Sequence, residues 1–467
     1  MTILTSPIAG GPERRSRKSL MKFKTDASCL NQVMFSDLIT LSNNYSNIHQ
    51  KRKKMKRTHY YFLVLFMIGI MNFQSCCDHN CCCTNCNKTQ VAEVIPHQIV
   101  VWFNPKTNAD SIKIFLNNMA EKNIYVLERC ACDENLILLG TPDTMDQEDA
   151  HESVGDDLPQ EGKYGFNIKI QLDTFPLAAF PESTVDTVDV IPTPSDVKEI
   201  IVAIIDGGIK KDDPFLKGRY WINPDPGNSC FEDDTFGYDF VNNSGFRADT
   251  KVNAHGTIVS NRIVTNANGV YIKLMDLRVF DEHGKGNLYN ALCALAYAHA
   301  HHASIVNMSW GYYKTEPDGV DHIFHNLISS YENIAFCASA GNNNSNTDSC
   351  PHYPSGFYAS NFQLKNIIST AALDISNNRF AVYSNFGKSS VTLAAQGSYT
   401  SIENYENPEG TSFAAAVVTG KIGRIMATSD LDADQIVECI KEHTSILKSS
   451  PCKKIDKGKL NESVNCQ

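Results

Sequence analysis

Residues 201–208 read IVAIIDGG, an apolar run that ends in a carboxylate and two glycines. The run is rich in β-branched residues, which is typical of a strand buried on both faces of a parallel sheet. Asp206 follows at the carboxyl end of this strand, and the glycines turn the chain. Because open α/β sheets place their sites at the carboxyl ends of strands, the stretch predicts an α/β fold with Asp206 at a functional site.

Two later stretches place a histidine and a serine beside glycine. Residues 255–257 read HGT and open a segment with apolar residues at helical spacing, and residues 410–412 read GTS and open a segment rich in Ala and Val. A serine at a helix start lies beside unpaired backbone N–H groups and in the field of the helix dipole, which favours developing negative charge. Asp206, His255 and Ser412 also follow one of the three chain orders known for the Asp–His–Ser charge system.

These motifs resemble those of the subtilisin-like (subtilase) serine proteases. The resemblance implies a three-layer α/β/α domain with a central parallel sheet over residues 199–447, preceded by a small α+β propeptide-like domain. It also implies a serine-type endopeptidase that acts on protein or peptide substrates. In that family's mechanism, His255 takes the proton of Ser412, Asp206 orients His255, and water releases the acyl-enzyme.

Further segments match the same family pattern. Residues 335–342 read as a buried strand ending in Ala-Gly-Asn, and the resemblance makes Asn342 an oxyanion donor together with the backbone N–H of Ser412. Residues 271–311 read as strand, helix and strand, with a last strand that would pair with the substrate backbone. The resemblance places the walls of the substrate pocket at Ser309, Trp310, Gly311, Ala340 and Gly341.

The expected pocket walls carry no carboxylate, which favours cleavage after apolar or small residues over cleavage after Lys or Arg. Residues 352–354 resemble the segment at the base of the pocket, where His352 would narrow it. The resemblance implies no required cofactor. Structural Ca²⁺ stays possible by the same resemblance. Its ligands are not assigned, because the acidic residues between 225 and 239 show no recognisable ligand spacing.

Each motif also has a plainer reading on its own. An Asp after a strand is often a turn residue, a His before Gly is often a surface residue, and Gly-Thr-Ser before an apolar helix is often an N-cap. Two other functions therefore stay open beside the general protease. One is a catalytically silent subtilase-like binding protein of the cell envelope, and the other is a narrow-specificity protease that processes one peptide.

The N-terminal region has the layout of an export signal. A basic block at residues 51–57 precedes an uncharged apolar run at 60–71, and Ser75 and Cys76 follow. We expect translation to start at Met55 and Cys76 to carry lipid, which places the protein in a bacterial cell envelope or outside the cell. The crowded cysteines of residues 76–86 fit lipid plus disulfides, a thiophilic metal or a biased tether.

The remaining segments complete the expected organisation. Residues 97–139 read as strand, helix, strand and strand, which resembles an inhibitory propeptide but also fits an uncleaved accessory domain. The sequence therefore predicts the following parts: an unstructured extension 1–54, a signal peptide 55–75, a Cys-rich tether 76–93, the propeptide-like domain 94–142, an acidic and Pro-containing linker 143–198, the catalytic domain 199–447 and a tail 448–467. The net charge of −10 gives no nucleic-acid footprint, and 42% hydrophobic residues allow a full core.

Cysteine usage gives two more expectations. Cys337 lies in a predicted core strand, which indicates a buried free thiol. Disulfide connectivity does not follow from sequence alone. The bridge candidates in the catalytic region are Cys230, Cys350, Cys439, Cys452 and Cys466.

Overall fold

The computed structural model of the chain describes residues 91–172, 198–245, 254–314, 318–359, 362, 364–398, 408–447 and 453–466. The predicted extension, signal peptide, lipid site at Cys76 and nearly all of the Cys-rich tether lie outside these residues. Within the described residues, no helix is both long enough and apolar enough to cross a bilayer.

The N-terminal domain, residues 91–172, is a sheet with two helices. Its elements are β1 (Val94–Trp102), α1 (Ala109–Glu121), β2 (Tyr125–Arg129), β3 (Leu136–Gly140), α2 (Gln147–Asp157) and β4 (Lys163–Gln171). The strand order is β2-β3-β1-β4 with antiparallel neighbours. Asn108 caps α1 by accepting a hydrogen bond from the Asp110 N–H at 2.7 Å. The predicted strand–helix–strand–strand unit is confirmed.

The structure differs from the predicted linker over residues 143–172, which carry α2 and β4. Asp146 caps α2, and Ala150 and Val154, one helical turn apart, are buried against the domain. In β4, Ile168 and Ile170 point to the same face and are buried. An acidic helix with only two buried residues carries too little apolar signal to separate it from a linker by composition.

The C-terminal domain, residues 198–466, contains the larger sheet. Its strands are β5 (Ile200–Asp206), β6 (Gly237–Asp239), β7 (Ser244–Gly245), β8 (Ile272–Arg278), β9 (Lys285–Asn287), β10 (Ile305–Met308), β11 (Tyr312–Tyr313), β12 (Ala335–Ser339), β13 (His352–Tyr353), β14 (Ile367–Leu373), β15 (Leu393–Gln396), β16 (Thr444–Ser445) and β17 (Lys459–Leu460). Its helices are α3 (Ala254–Ala267), α4 (Leu288–Ala300), α5 (Gly319–Ser330), α6 (Thr411–Thr428) and α7 (Ala433–Glu442).

Ten of these strands form one sheet in the order β16-β17-β15-β14-β12-β10-β5-β8-β6-β7. The predicted tail 448–467 is wrong in part, because β17 lies within it and pairs with β15 and β16. The pairs from β17 through β6 are parallel, and the two end pairs are antiparallel. Alternate residues of β5 enter different cores. Ala203 and Ile205 pack with α4 and α5, whereas Val202 and Ile204 pack with α3, α6 and α7. The predicted three-layer α/β/α arrangement is confirmed.

The sheet topology positions the candidate site. Strands β12, β10 and β5 are neighbours and run parallel, so their carboxyl ends lie at one edge. Asp206 ends β5, Ser309 directly follows β10, and Asn342 follows β12 by three residues. Helices α3 and α6, which begin beside His255 and Ser412, pack against each other on one face of the sheet.

Candidate active site

Asp206 and His255 form a buried hydrogen-bonded pair. The Nδ1 atom of His255 lies 2.9 and 3.0 Å from the two carboxylate oxygens of Asp206, and the two side chains are at most 3% exposed. Since an ionised carboxylate only accepts, the pair assigns a proton to Nδ1. The Gly207 N–H also donates to the carboxylate at 2.7 Å. A Cβ on Gly256 would lie 2.5 Å from the Gly208 carbonyl, which explains the glycine that follows His255.

Ser412 is the second residue of α6 and is buried. Its hydroxyl donates to the Ser309 carbonyl at 2.8 Å, and the Ser309 hydroxyl donates back to the Ser412 carbonyl at 2.9 Å. Asn307 supports this exchange by donating to the Ser309 hydroxyl at 2.8 Å. The neighbouring Phe413 ring lies 5.6 Å from the His255 ring, so the structure brings the two predicted catalytic residues to one place.

Asn342 lies at the same place with its amide orientation set by Thr411. Its Oδ1 atom accepts from the Thr411 backbone N–H at 2.9 Å and from the Thr411 hydroxyl at 3.0 Å. The Thr411 hydroxyl in turn accepts from the Gly341 N–H at 3.0 Å, and Gly341 has a φ of 96°. Because Oδ1 is used as the acceptor, the Nδ2 group is left to donate, and it donates to none of the described residues. An amide aimed in this way suits a developing oxyanion.

The N-terminal domain reaches the same region through β4. Strand β4 pairs antiparallel with β9, and Gln171 forms an antiparallel bridge with Gly311, two residues after Ser309. The Leu172 N–H also donates to the Gly284 carbonyl at 2.9 Å. Gly311 belongs to the segment that the sequence assigns to pairing with substrate. The chain's own extended segment therefore occupies part of the predicted peptide-binding edge.

The predicted pocket residues lie together, but their side chains contribute unequally. Ser309, Ala340 and Gly341 are buried next to Ser412 and Asn342. The Trp310 side chain instead lies in the core, 5.6 Å from the Phe280 ring and 6.1 Å from the Phe324 ring, so only its backbone can line a pocket.

The His352 ring lies directly beside Gly311 and Gly341. A Cβ on Gly311 would lie 2.4 Å from its Nε2 atom, and one on Gly341 would lie 3.0 Å from it. Burial lowers the pKa of His352 to about 3, so the ring is neutral at physiological pH. Its Nδ1 atom lies 2.8 Å from the Ser355 hydroxyl.

Sequence reasoning missed two buried ion pairs that support the site. Lys211 Nζ lies 2.6 Å from Asp276, which also accepts from the Ile209 N–H in the turn after Asp206. Burial raises the pKa of Asp276 and lowers the pKa of Lys211, and their mutual attraction opposes both shifts. Arg278 similarly contacts Asp239 at 2.8 Å. The sequence signal that could have indicated these pairs is a charged residue within an otherwise apolar strand, because a buried charge requires a partner.

The acidic residues that were weighed as Ca²⁺ ligands have other partners where they are buried. Asp234 accepts from Asn223 and Tyr297, each at 2.8 Å, and Asp239 pairs with Arg278. Within the described part of the chain, one group of metal-type ligands converges, namely Cys439, His443 and Cys466. Cys439 and Cys466 are joined as a disulfide, so His443 is the one member of this group that could still bind a metal. The described residues therefore assign no metal site.

Cysteine predictions were confirmed in part. Cys337 is a buried free thiol whose pKa burial raises to about 12. The candidates Cys439 and Cys466 pair with each other, and Cys350 is also disulfide-bonded. Cys230 pairs with Cys132 of the N-terminal domain, and a further bridge joins two cysteines that were not candidates, Cys130 and Cys293. Cys452 lies outside the described residues.

Comparisons with known proteins agree with this geometry. Residues 197–450, more than half of the chain, match the family model described as "Subtilase family". "Subtilisin-like protease 1" of Plasmodium falciparum is 26% identical over 324 residues, which cover 62% of this chain and 46% of that protein. "Thermophilic serine proteinase" of Bacillus sp. (strain AK1) is 26% identical over 52% of this chain and 55% of its own length. The chain thus spans about half the length of these curated relatives.

A solved structure shows the same fold at low identity. The epidermin leader peptide processing serine protease (EpiP) from Staphylococcus aureus superimposes with a TM-score of 0.55 and 16% identity, covering 79% of this chain and 97% of that one. The parallel sheet with helices on both faces defines an α/β protein, and Asp206, His255 and Ser412 lie at one edge of that sheet. The family match is specific, and the chain belongs to the subtilase family.

Proposed function

We propose that this protein is a serine endopeptidase that cleaves protein or peptide substrates through Asp206, His255 and Ser412. The observation that carries the proposal is the buried Asp206–His255 hydrogen bond beside a helix that begins with Thr411 and Ser412. A buried carboxylate holds the imidazole in one tautomer and stabilises the imidazolium that forms during catalysis. Membership of the subtilase family supports the same activity.

The proposed reaction begins with a rotation of the Ser412 hydroxyl. A hydroxyl carries a single proton, and in this structure it is directed to the Ser309 carbonyl. Turning it towards the Nε2 atom of His255 lets the ring accept the proton while Oγ attacks the substrate carbonyl. His255 then delivers the proton to the leaving amine, and the Ser412 acyl ester is hydrolysed by water.

Asn342 has the role of oxyanion donor in this proposal. Thr411 holds its Oδ1 atom through two hydrogen bonds, so the Nδ2 group is oriented before substrate arrives. The backbone N–H of Ser412, in the first turn of α6, is the second donor. Donors that are already oriented need little reorganisation as the charge develops, and this is the main source of stabilisation at such sites.

The N-terminal domain is proposed to act as an intramolecular inhibitor. Its strand β4 fills the gap between β9 and Gly311, with Gln171 paired to Gly311 and Ile170 to Gly286. An extended substrate would use the same backbone donors and acceptors, so the two compete for one edge. The alternative of an accessory domain without inhibitory function predicts no such competition.

A fluorophosphonate probe tests the proposed function. The protein, both uncut and cut between residues 173 and 197 by an exogenous protease, is treated in non-reducing and in reducing buffer, and mass spectrometry locates the adduct. We expect a stoichiometric adduct on Ser412 and none in the matched Ser412→Ala variant. A folded wild-type protein that stays unlabelled in every condition contradicts the endopeptidase and favours the catalytically silent binding protein.

We also propose that the protein is exported and held to a membrane by lipid on Cys76. The sequence order of basic block, apolar run, Ser75 and Cys76 supports this, as do three disulfides in the described residues, which persist in oxidising compartments. In bacterial expression, wild type is expected in the membrane fraction and Cys76→Ala in the soluble fraction. Identical soluble partitioning of both contradicts lipid attachment and leaves ordinary secretion.

A further inference from the structure

Two disulfides join the N-terminal domain to the C-terminal domain. Cys130 pairs with Cys293, and Cys132 pairs with Cys230. The two N-terminal cysteines lie between β2 and β3, whereas Cys293 lies within α4 and Cys230 follows the short helix Pro226–Asn228. The two disulfides therefore connect the N-terminal domain to the domain that carries Ser412. They do so through the β2–β3 connection and not through β4.

The two domains also share a continuous non-covalent interface. Strand β9 of the C-terminal domain extends the N-terminal sheet beyond β4. The buried Asn167 of β4 accepts from the Tyr289 N–H at the start of α4, at 3.1 Å. A Cβ on Gly319, the first residue of α5, would lie 1.5 Å from the Tyr164 carbonyl, so β4 and α5 are in direct backbone contact.

The connection between the domains is the chain from residue 173 to residue 197. A cut in this connection ends the continuous chain but leaves both disulfides intact. An inhibitor held in this way rebinds at a high effective concentration, and diluting the protein does not lower that concentration because the binding is intramolecular. Hydrolysis of the connection alone is then insufficient to clear the peptide-binding edge.

We propose that the N-terminal domain stays linked to the C-terminal domain after cleavage and that thiol reduction of these bridges releases it. The proposal rests on the proposed function of the domain as inhibitor of the Ser412 site. Reduction thereby becomes the step that exposes Gly311 and β9 to substrate. The protein is an inactive two-chain species in an oxidising compartment and becomes active where a dithiol reductant is available.

The chemistry needs one dithiol reductant for each bridge. A thiolate of the reductant attacks one cysteine sulfur and forms a mixed disulfide, releasing the other cysteine as a thiolate. The second thiol of the reductant then displaces the remaining cysteine, which leaves two protein thiols and an oxidised reductant. Each bridge accepts two electrons and two protons, so opening both consumes two dithiol molecules.

The two bridges differ in their accessibility, which sets the order of reduction. Cys130 and Cys293 are 1% and 2% exposed. Cys132 and Cys230 are partly exposed, and Cys230 lines a cavity of about 690 Å³ together with Glu128, Arg129 and Phe231. Attack requires access to sulfur, so Cys132–Cys230 opens first and the buried bridge holds the domain until the interface loosens.

The first experiment tests the covalent link without using the protein's own activity. A Ser412→Ala chain receives the recognition sequence of an exogenous site-specific protease after Phe180 and is cut there. Disulfide mapping by mass spectrometry is expected to find Cys130–Cys293 and Cys132–Cys230, and a denaturing gel without reductant to show one species that separates into two on reduction. Two free fragments without reductant overturn the proposal.

The second experiment tests release and activity with serine at position 412. The same cleavage site is placed in wild type, in a release variant (Cys130→Ala, Cys293→Ala, Cys132→Ser, Cys230→Ser) and in a control variant (Cys439→Ser, Cys466→Ser). The release variant also carries Cys350→Ala, because Cys350 is disulfide-bonded too. After cleavage and dilution, fragment separation, fluorophosphonate labelling and peptide hydrolysis are measured.

We expect the release variant to separate and to hydrolyse peptide about 100-fold faster than cut wild type without reductant, which is the scale of a lost tether. Cut wild type and the control variant should reach the same rate only after native reduction with a dithiol. Full activity of cut wild type without reductant overturns the proposal while the endopeptidase stands. A release variant that separates but neither labels nor hydrolyses supports the covalent link between the domains and contradicts the endopeptidase.

If the release variant does not fold, cut wild type is titrated with reductant under native conditions. The proposal then predicts that hydrolysis rises in step with free fragment and with alkylation of Cys130 and Cys293. Activity that rises before those two thiols become alkylated contradicts it.

Discussion

Replacing Ser412 with alanine is expected to lower kcat for peptide hydrolysis by about 10⁶-fold, the loss observed in another subtilase when its nucleophile is removed. The structure explains why no neighbour can replace it. The Ser309 hydroxyl belongs to the same hydrogen-bond network, but it accepts from Asn307 and donates to the Ser412 carbonyl. The variant should fold, because Oγ makes one hydrogen bond and the side-chain volume falls only slightly.

The measurement uses protein from which the N-terminal domain has been released, so that the proposed inhibition by this domain does not mask the effect. His255→Ala should show a similar loss, and the double variant no further loss, because the two groups act as a unit. The exposed Ser376→Ala is the matched control and should keep the wild-type rate. Residual hydrolysis by Ser412→Ala within tenfold of wild type would remove this residue from the mechanism.

The elements that carry the predicted catalytic residues were predictable because each has a strong local signal. The run before Asp206 is uninterrupted and apolar, and it became the buried strand β5. The segment after Ser412 contains no charge for eight residues and became the buried first half of α6. Strand β12 gave the same kind of signal before Gly341. In these cases burial on all sides leaves its pattern in the sequence itself.

The missed elements owe their structure to contacts that are distant in sequence. Helix α2 buries Ala150 and Val154 only because β1, β3 and β4 form a surface for them. Strand β4 is completed by β9, more than a hundred residues further along the chain. Local composition in this region is acidic, and only the tertiary partners decide that it folds.

The same limit applies inside the site. The order of motifs indicated Asp206, His255 and Ser412, and the family pattern indicated Asn342. No local signal indicates that Thr411 holds the Asn342 amide, or that Trp310 turns into the core while its neighbours face the site. Disulfide partners were equally hidden, since Cys130 and Cys293 are 163 residues apart. These contacts join segments that are distant in sequence, so they follow from the fold and not from local sequence.

Asn342→Ala is expected to lower kcat by about 10² to 10³-fold and to change KM by less than about threefold. The substrate carbonyl acquires its full negative charge only in the tetrahedral intermediate and the transition states that flank it. A donor aimed at that charge therefore contributes little to ground-state binding. Initial rates over a range of peptide concentrations, again with the N-terminal domain released, separate the two constants.

Two further variants separate oxyanion stabilisation from a general disturbance of the site. Thr411→Val removes the hydroxyl that donates to Asn342 Oδ1 and accepts from the Gly341 N–H, but keeps the Thr411 backbone donor. It leaves Nδ2 present but less firmly oriented, so its loss of kcat should fall between wild type and Asn342→Ala. The adjacent, exposed Asn343→Ala should behave as wild type.

Because Asn342 also ties α6 to the segment after β12, thermal unfolding of each variant is measured in parallel. A normal kcat in a folded Asn342→Ala protein would show that the amide does not stabilise the oxyanion. A rise in KM with kcat unchanged would show in addition that the amide binds substrate.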